Sequence, residues 1–186
     1  MPPKKSASGQ NAMALLKADH QKVKELFDKF ESARASSKAK IVADAVKELK
    51  VHATVEEELF YPTLRQEIED EEGIMDEADE EHHIAKVLIA ELEAMSGDED
   101  HWEAKFKVLA ESVRHHIKEE EGQMFKKARE SDIDFGALGE QMAQLKKRLL
   151  KEGVPPDAEA QMIKKVGLRG DSPAKRAQGN LQKQDS

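Results

Sequence analysis

AVKELKVHATVEEELFYP, residues 45–62, decides how the rest of the chain is read. In steps of four and three, Ala45, Leu49, His52, Glu56 and Leu59 fall on one stripe, because a helix brings positions three and four apart onto the same face. The stripe is apolar except where an imidazole and a carboxylate interrupt it. The same seam recurs three times in the chain. It reads Leu16, His20, Val23, Phe27, Phe30 before this stretch; Met75, Ala78, His82, Ala85, Ile89, Leu92 after it; and then Trp102, Phe106, Leu109, Val113, His116, Glu120, Met124. Each seam carries one inward histidine, and the second and fourth add a glutamate four residues later.

These seams place helices over about residues 12–35, 38–69, 75–95 and 99–130. Ser36-Ser37 supplies a turn and a cap, the acid-rich stretch around Gly73 supplies the second connection near 70–74, and Ser96-Gly97-Asp98 supplies the third. Pro62 is expected to kink the second helix, since its ring removes one N–H and crowds the carbonyl four residues earlier. A shorter helix, capped by Asp132 or Asp134, ends before Gly153. The expectation is an all-α chain: a disordered N-terminus (1–11), an antiparallel up-down four-helix bundle (12–130), an extra C-terminal helix (131–153) and a flexible tail (154–186) with a turn or two of helix near 158–166.

Composition narrows the chemistry. The chain has 186 residues, a formal charge of −8 and no cysteine, which excludes thiolate zinc sites, cysteine-ligated iron–sulfur clusters and cysteine nucleophiles. A metal must therefore sit on nitrogen and oxygen donors. No apolar run approaches the roughly 18 residues of a membrane span, and the polar start MPPKKSASGQNA has no apolar signal segment, so a cytoplasmic protein with no membrane partner is expected. The acidic balance argues against a nucleic-acid partner. The tail residues Lys164, Lys165, Arg169, Lys175 and Arg176 read as a solvated linker or, alternatively, as a docking segment for an acidic protein partner.

Four imidazoles and two carboxylates in apolar seams carry a desolvation cost of several kcal/mol unless they are paired or bound to metal. Counted from the turns, His20 and His52 each lie about 15 residues from Ser36-Ser37, and the other pairs match to within about one helical turn. The six groups thus share one layer. A His-x-x-x-Glu pair puts both donors on one helix face, and two such pairs with two lone histidines make a dinuclear site suited to iron. It is neither the Glu-x-x-His of ferritin-like bundles nor a His-Glu-x-x-His zinc motif. Seam phase selects His82 over His83 and His116 over His115, since one residue rotates a side chain by about 100°. His101 reads as surface. Glu57, Glu58, Glu119 and Glu121 read as polar flanks able to hydrogen-bond a ligand histidine.

Asp19-His20, HATVEEELFYP (52–62), EEH (80–82) and HIKEEEGQMF (116–125), in this order and spacing, resemble the hemerythrin-like, or HHE cation-binding, domain over about residues 12–130. The resemblance implies a four-helix bundle around two non-haem irons with an oxo or hydroxo bridge. His20, His52, His82 and His116 would be terminal ligands, and Glu56 and Glu120 would bridge the metals. One departure is plain. The oxygen carriers of this family have a fifth histidine in a His-x-x-x-His pair, but the positions four before and four after His82 hold Ala78 and Lys86. His83, His115 or Glu81 could compensate through a distorted helix. The expected function is a di-iron protein that binds or senses dioxygen, nitric oxide, peroxide or a small anion, or handles iron. The alternatives are an oxidoreductase consuming peroxide or nitric oxide, and a metal-free helical scaffold.

Overall fold

The computed structural model describes residues 11–69 and 73–166. Among them there is no strand, and no helix is long and apolar enough to cross a membrane. The first bundle helix is α1 (Ala12–Ser32). The second runs from α2 (Ala35–Val55) through a π turn (Glu56–Phe60) into α3 (Tyr61–Glu67). α4 (Ile74–Ala94) is the third. The fourth repeats the pattern of the second, with α5 (Trp102–Glu119), a π turn (Glu120–Met124) and α6 (Phe125–Arg129). The short connections make consecutive helices antiparallel neighbours, with α1 on α2 and α5, and α4 on α5 and α2.

Local chemistry explains most boundaries. Asn11 opens α1 by accepting from the Ala14 N–H, and Asp134 opens α7 (Phe135–Glu152) by accepting from Gly136 and Ala137. The first turn differs from expectation: it falls at Ala33 and Arg34, both extended, so Ser36 and Ser37 lie inside α2 rather than capping it. The fourth helix starts at Trp102, later than its periodicity suggests, because His101 adopts the left-handed conformation at φ 68° just before it. Pro62 does not produce a simple kink. The helix widens ahead of it instead, with the Tyr61 N–H bonding to the Glu56 carbonyl five residues back. The extra residue in that turn shifts the seam, leaving Leu59 half-buried and sending Phe60 into the core.

Two apolar clusters fill the bundle. One gathers Leu16, Val55, Phe60, Leu64, Phe125 and Met142; the other gathers Phe27, Phe30, Leu49, Phe106, Leu109 and Ile117. Six polar side chains lie in the layer between them. α7 closes the first cluster by packing on α1 and α2. The helix expected near 158–166 is α8 (Ala158–Val166), which packs on α4, buries Ile163 and is pinned by His83 Nδ1 at 2.6 Å from Glu159 Oε1. Its cap is Asp157, whose carboxylate accepts from the Ala160 N–H. Residues 1–10 and 167–186, where the disordered N-terminus and most of the basic tail were expected, lie outside the described residues.

Candidate metal centre

Four helices deliver the six expected side chains to one buried layer: His20 from α1, His52 and Glu56 from the second helix, His82 from α4, His116 and Glu120 from the fourth. All six are buried, and Glu56 is at 0 % exposure. Both glutamates open a π turn, and the widened backbone sets each carboxylate in the layer. The donors fall into two adjoining groups that share Glu56. His20, His52, Glu56 and Glu120 form one, and Glu56, His82 and His116 form the other. The imidazoles are paired accordingly, His20 with His52 and His82 with His116, each pair at 4.8 Å between ring centres.

In the group of His20, His52, Glu56 and Glu120 the inner atoms approach one another without hydrogen-bonding. His20 Nε2 lies 3.1 Å from Glu120 Oε2, and His52 Nε2 lies 3.1 Å from Glu56 Oε1. Yet His20 Nε2, His52 Nε2 and all four carboxylate oxygens of Glu56 and Glu120 have no hydrogen-bond partner. Polar atoms left without partners this deep are strongly unfavourable by themselves, and their convergence on one buried layer is what a cation, displacing the imidazole protons, would resolve. All are hard or borderline oxygen and nitrogen donors, which fit iron.

The outer nitrogens explain the inner orientation. Glu121 takes the Nδ1–H of His20 at 2.8 Å, Glu57 that of His82 at 2.9 Å, and Glu81 that of His116 at 2.8 Å. A carboxylate can only accept, so each of these bonds places the proton on Nδ1 and frees Nε2 as a ligand. Asp19 faces His52 Nδ1 more loosely, at 3.8 Å. The four acids form a ring: each comes from one bundle helix and reaches the histidine of the next, the fourth returning to the first. Each also has a cationic or imidazole neighbour outside. Lys146 pairs with Asp19, Lys86 with Glu57 at 2.6 Å, Lys24 with Glu121 at 3.6 Å, and His115 lies 3.8 Å from Glu81. Because Lys146 belongs to α7, that helix is wired to the centre through Asp19. Lys146→Met should weaken metal affinity roughly tenfold, as loss of an outer partner typically does; competition against a chromogenic chelator measures it, and unchanged affinity would remove Lys146 from the relay.

None of the expected substitutes for a fifth histidine points inward. His83 is 54 % exposed and bonded to Glu159, His115 is 59 % exposed, and Glu81 is committed to His116. Tyr61 points into the layer instead. Its buried hydroxyl lies 3.3 Å from His82 Nε2 and 3.4 Å from His116 Nε2. In a regular helix a residue five beyond Glu56 would point about 140° away; the π turn brings it into line. The equivalent position in the fourth helix holds Phe125, which stacks on His20, so the two halves differ by one hydroxyl.

Burial and neighbouring charges shift the titration of several groups in the layer before any metal arrives. Burial depresses the imidazole of His52, but Glu56, Asp19 and Glu120 overcome it and raise it to about 10; on His82 burial is overcome by Glu56 and Glu57, to about 9. Burial lifts Glu56, yet His52 and His82 hold it well below the usual carboxylate range, whereas burial and the Glu56 charge raise Glu120. Histidines raised above their ordinary 6.5 stabilise the fold fully below that pH and lose the contribution as pH climbs towards 9–10. In protein stripped of metal, the melting temperature should therefore fall between pH 7 and 10. Metal affinity should rise over the same interval, because ligation needs unprotonated imidazoles. Scanning calorimetry at stepped pH tests this, and a metal-free melting temperature that climbs across the range contradicts it.

The fold and the layer together define a class, an antiparallel bundle built around two adjoining nitrogen–oxygen ligand groups. Residues 11–128 match the Hemerythrin HHE cation binding domain, and the chain belongs to that family. A crystal structure of a hemerythrin HHE cation binding domain-containing protein from Mycobacterium kansasii superposes with a TM-score of 0.63 at 24 % identity, covering 81 % of this chain and 96 % of that one. A protein of Nostoc sp. (strain PCC 7120 / SAG 25.82 / UTEX 2576) described as a DNA nickase is 28 % identical over 116 residues. That match takes in 62 % of this chain and only 32 % of the relative.

Proposed function

We propose that this is a non-haem di-iron protein that binds dioxygen, nitric oxide, peroxide or a comparable small ligand. His20, His52, Glu56 and Glu120 would hold one iron; His82, His116, Glu56 and the Tyr61 hydroxyl would hold the other, with Glu56 and Glu120 spanning the two. The observation that carries this reading is the set of orphaned inward atoms in a layer where the Nδ1 atoms of His20, His82 and His116 are each hydrogen-bonded to a carboxylate. When bound, the metal pair supplies redox-active cations that accept a small ligand.

The chain's own residues tune that centre. Glu57, Glu81 and Glu121 fix the imidazole tautomers and add electron density to the ligands. The apolar clusters above and below keep the surroundings low in dielectric, which strengthens attraction for small anions. The expected result is about two irons per purified chain with an oxo-to-iron charge-transfer band that shifts on adding azide or peroxide. One tightly held zinc per chain would overturn the reading.

A further inference from the structure

Beside the metal layer, towards the Phe106 cluster, lies a cavity of about 270 Å³. All four site histidines border it while Glu56 and Glu120 do not, so it adjoins the ligand groups without being the space between the two carboxylates. Its walls are mainly aliphatic, including Val23, Leu49, Ile89, Val113 and Ile117, and small side chains at Ala53, Ala85 and Ser112 keep it open. Residues 154–157, Val-Pro-Pro-Asp, which lie beyond the matched domain, line one side of it. Two consecutive prolines make that strap stiff, and it is anchored at its far end by α8 through the His83–Glu159 pair.

The dimensions decide what the cavity takes. A diatomic molecule or peroxide needs no more than about one water's share of liquid volume, roughly 30 Å³, whereas an apolar cavity of about 150 Å³ already accepts benzene. This cavity has room for an aromatic ring with a branched substituent of a few carbons. Charge decides the rest. Lys50 and Lys86 at the rim are already paired, with Glu93 at 2.9 Å and with Glu57 at 2.6 Å, and Glu58 and Glu81 add negative charge. Away from the histidine layer, an anionic ligand therefore finds no free cation on these walls. We propose that the cavity binds a neutral, compact organic molecule of about ten non-hydrogen atoms, its one small polar group turned to the histidine layer. That the ligand would lie beside a metal pair rests on the di-iron reading; its binding does not.

The probe is 2-phenyl-2-propanol, added to the iron-loaded full chain and followed by saturation-transfer NMR. A dissociation constant at or below about 1 mM is expected for a ligand of this size in a formed site. Ala85→Phe, which fills the cavity from α4, should weaken it at least tenfold while the azide-shifted spectrum remains. Ala53→Leu, from the opposite wall, should do the same and decides the matter if Ala85→Phe fails to fold. No binding by the unaltered protein at 10 mM, or binding untouched by the filling variants, overturns the proposal. Iron content of the same samples reports separately: a chain that takes the probe but no iron refutes the di-iron reading and leaves the cavity assignment standing.

Discussion

Glu56→Gln should reduce iron uptake from about two ions per chain to fewer than one. Glu56 belongs to both ligand groups and is wholly buried, with its oxygens 3.1 Å from His52 Nε2 and 3.4 Å from His82 Nε2. An amide keeps the shape but replaces one lone-pair oxygen with an N–H donor, so it cannot span two cations. The same change removes the carboxylate charge that keeps His52 and His82 protonated in the metal-free protein. Leaving buried charge without its partner typically destabilises by about 3–5 kcal/mol. At pH 6, where both imidazoles carry protons, the metal-free variant should melt well below the unaltered protein. Elemental analysis and calorimetry read the two effects. Full iron loading in the variant would remove Glu56 from the centre.

The second large effect is spectroscopic. Tyr61→Phe should abolish a phenolate-to-iron charge-transfer band in the visible region while leaving about two irons bound, because six other donors remain. Burial, with Glu56 and Glu120, pushes the Tyr61 phenol well above its ordinary value in the metal-free protein, so it is a neutral hydroxyl until a cation reverses the local field. The fold should tolerate the change within about 1 kcal/mol, since Phe125 fills the corresponding position of the fourth helix and stacks against His20. A visible band that survives the substitution, or is missing from the iron-loaded parent, would take Tyr61 out of the ligand set.

The bundle was legible in the sequence because its signal is redundant: four seams agree in phase, and shifting any of them by one residue would break its apolar run. The six inward groups were legible for the same reason, as the only polar members of those seams. Tyr61 was hidden because a reading at 3.6 residues per turn points it away from Glu56, and nothing in HATVEEELFYP declares the extra residue of the π turn. Pro62 follows the first such turn but has no counterpart after the second, so it was no guide. Lys146 could not be foreseen as a partner of Asp19, 127 positions earlier, since helix-periodic patterns carry no information on which side of a bundle a fifth helix docks. The ring of acids was half visible. Asp19 and Glu81 immediately precede a site histidine, and Glu57 and Glu121 immediately follow a site glutamate.

That ring bears on how the molecule assembles. With any three bundle helices in place, one carboxylate lacks its histidine and one imidazole lacks its carboxylate; only the last arrival resolves both. The final helix thus works like the keystone of an arch, gaining on two flanks at once. Partly assembled forms should consequently be scarce at equilibrium, and severing one link should loosen all four helices together rather than fray the nearest.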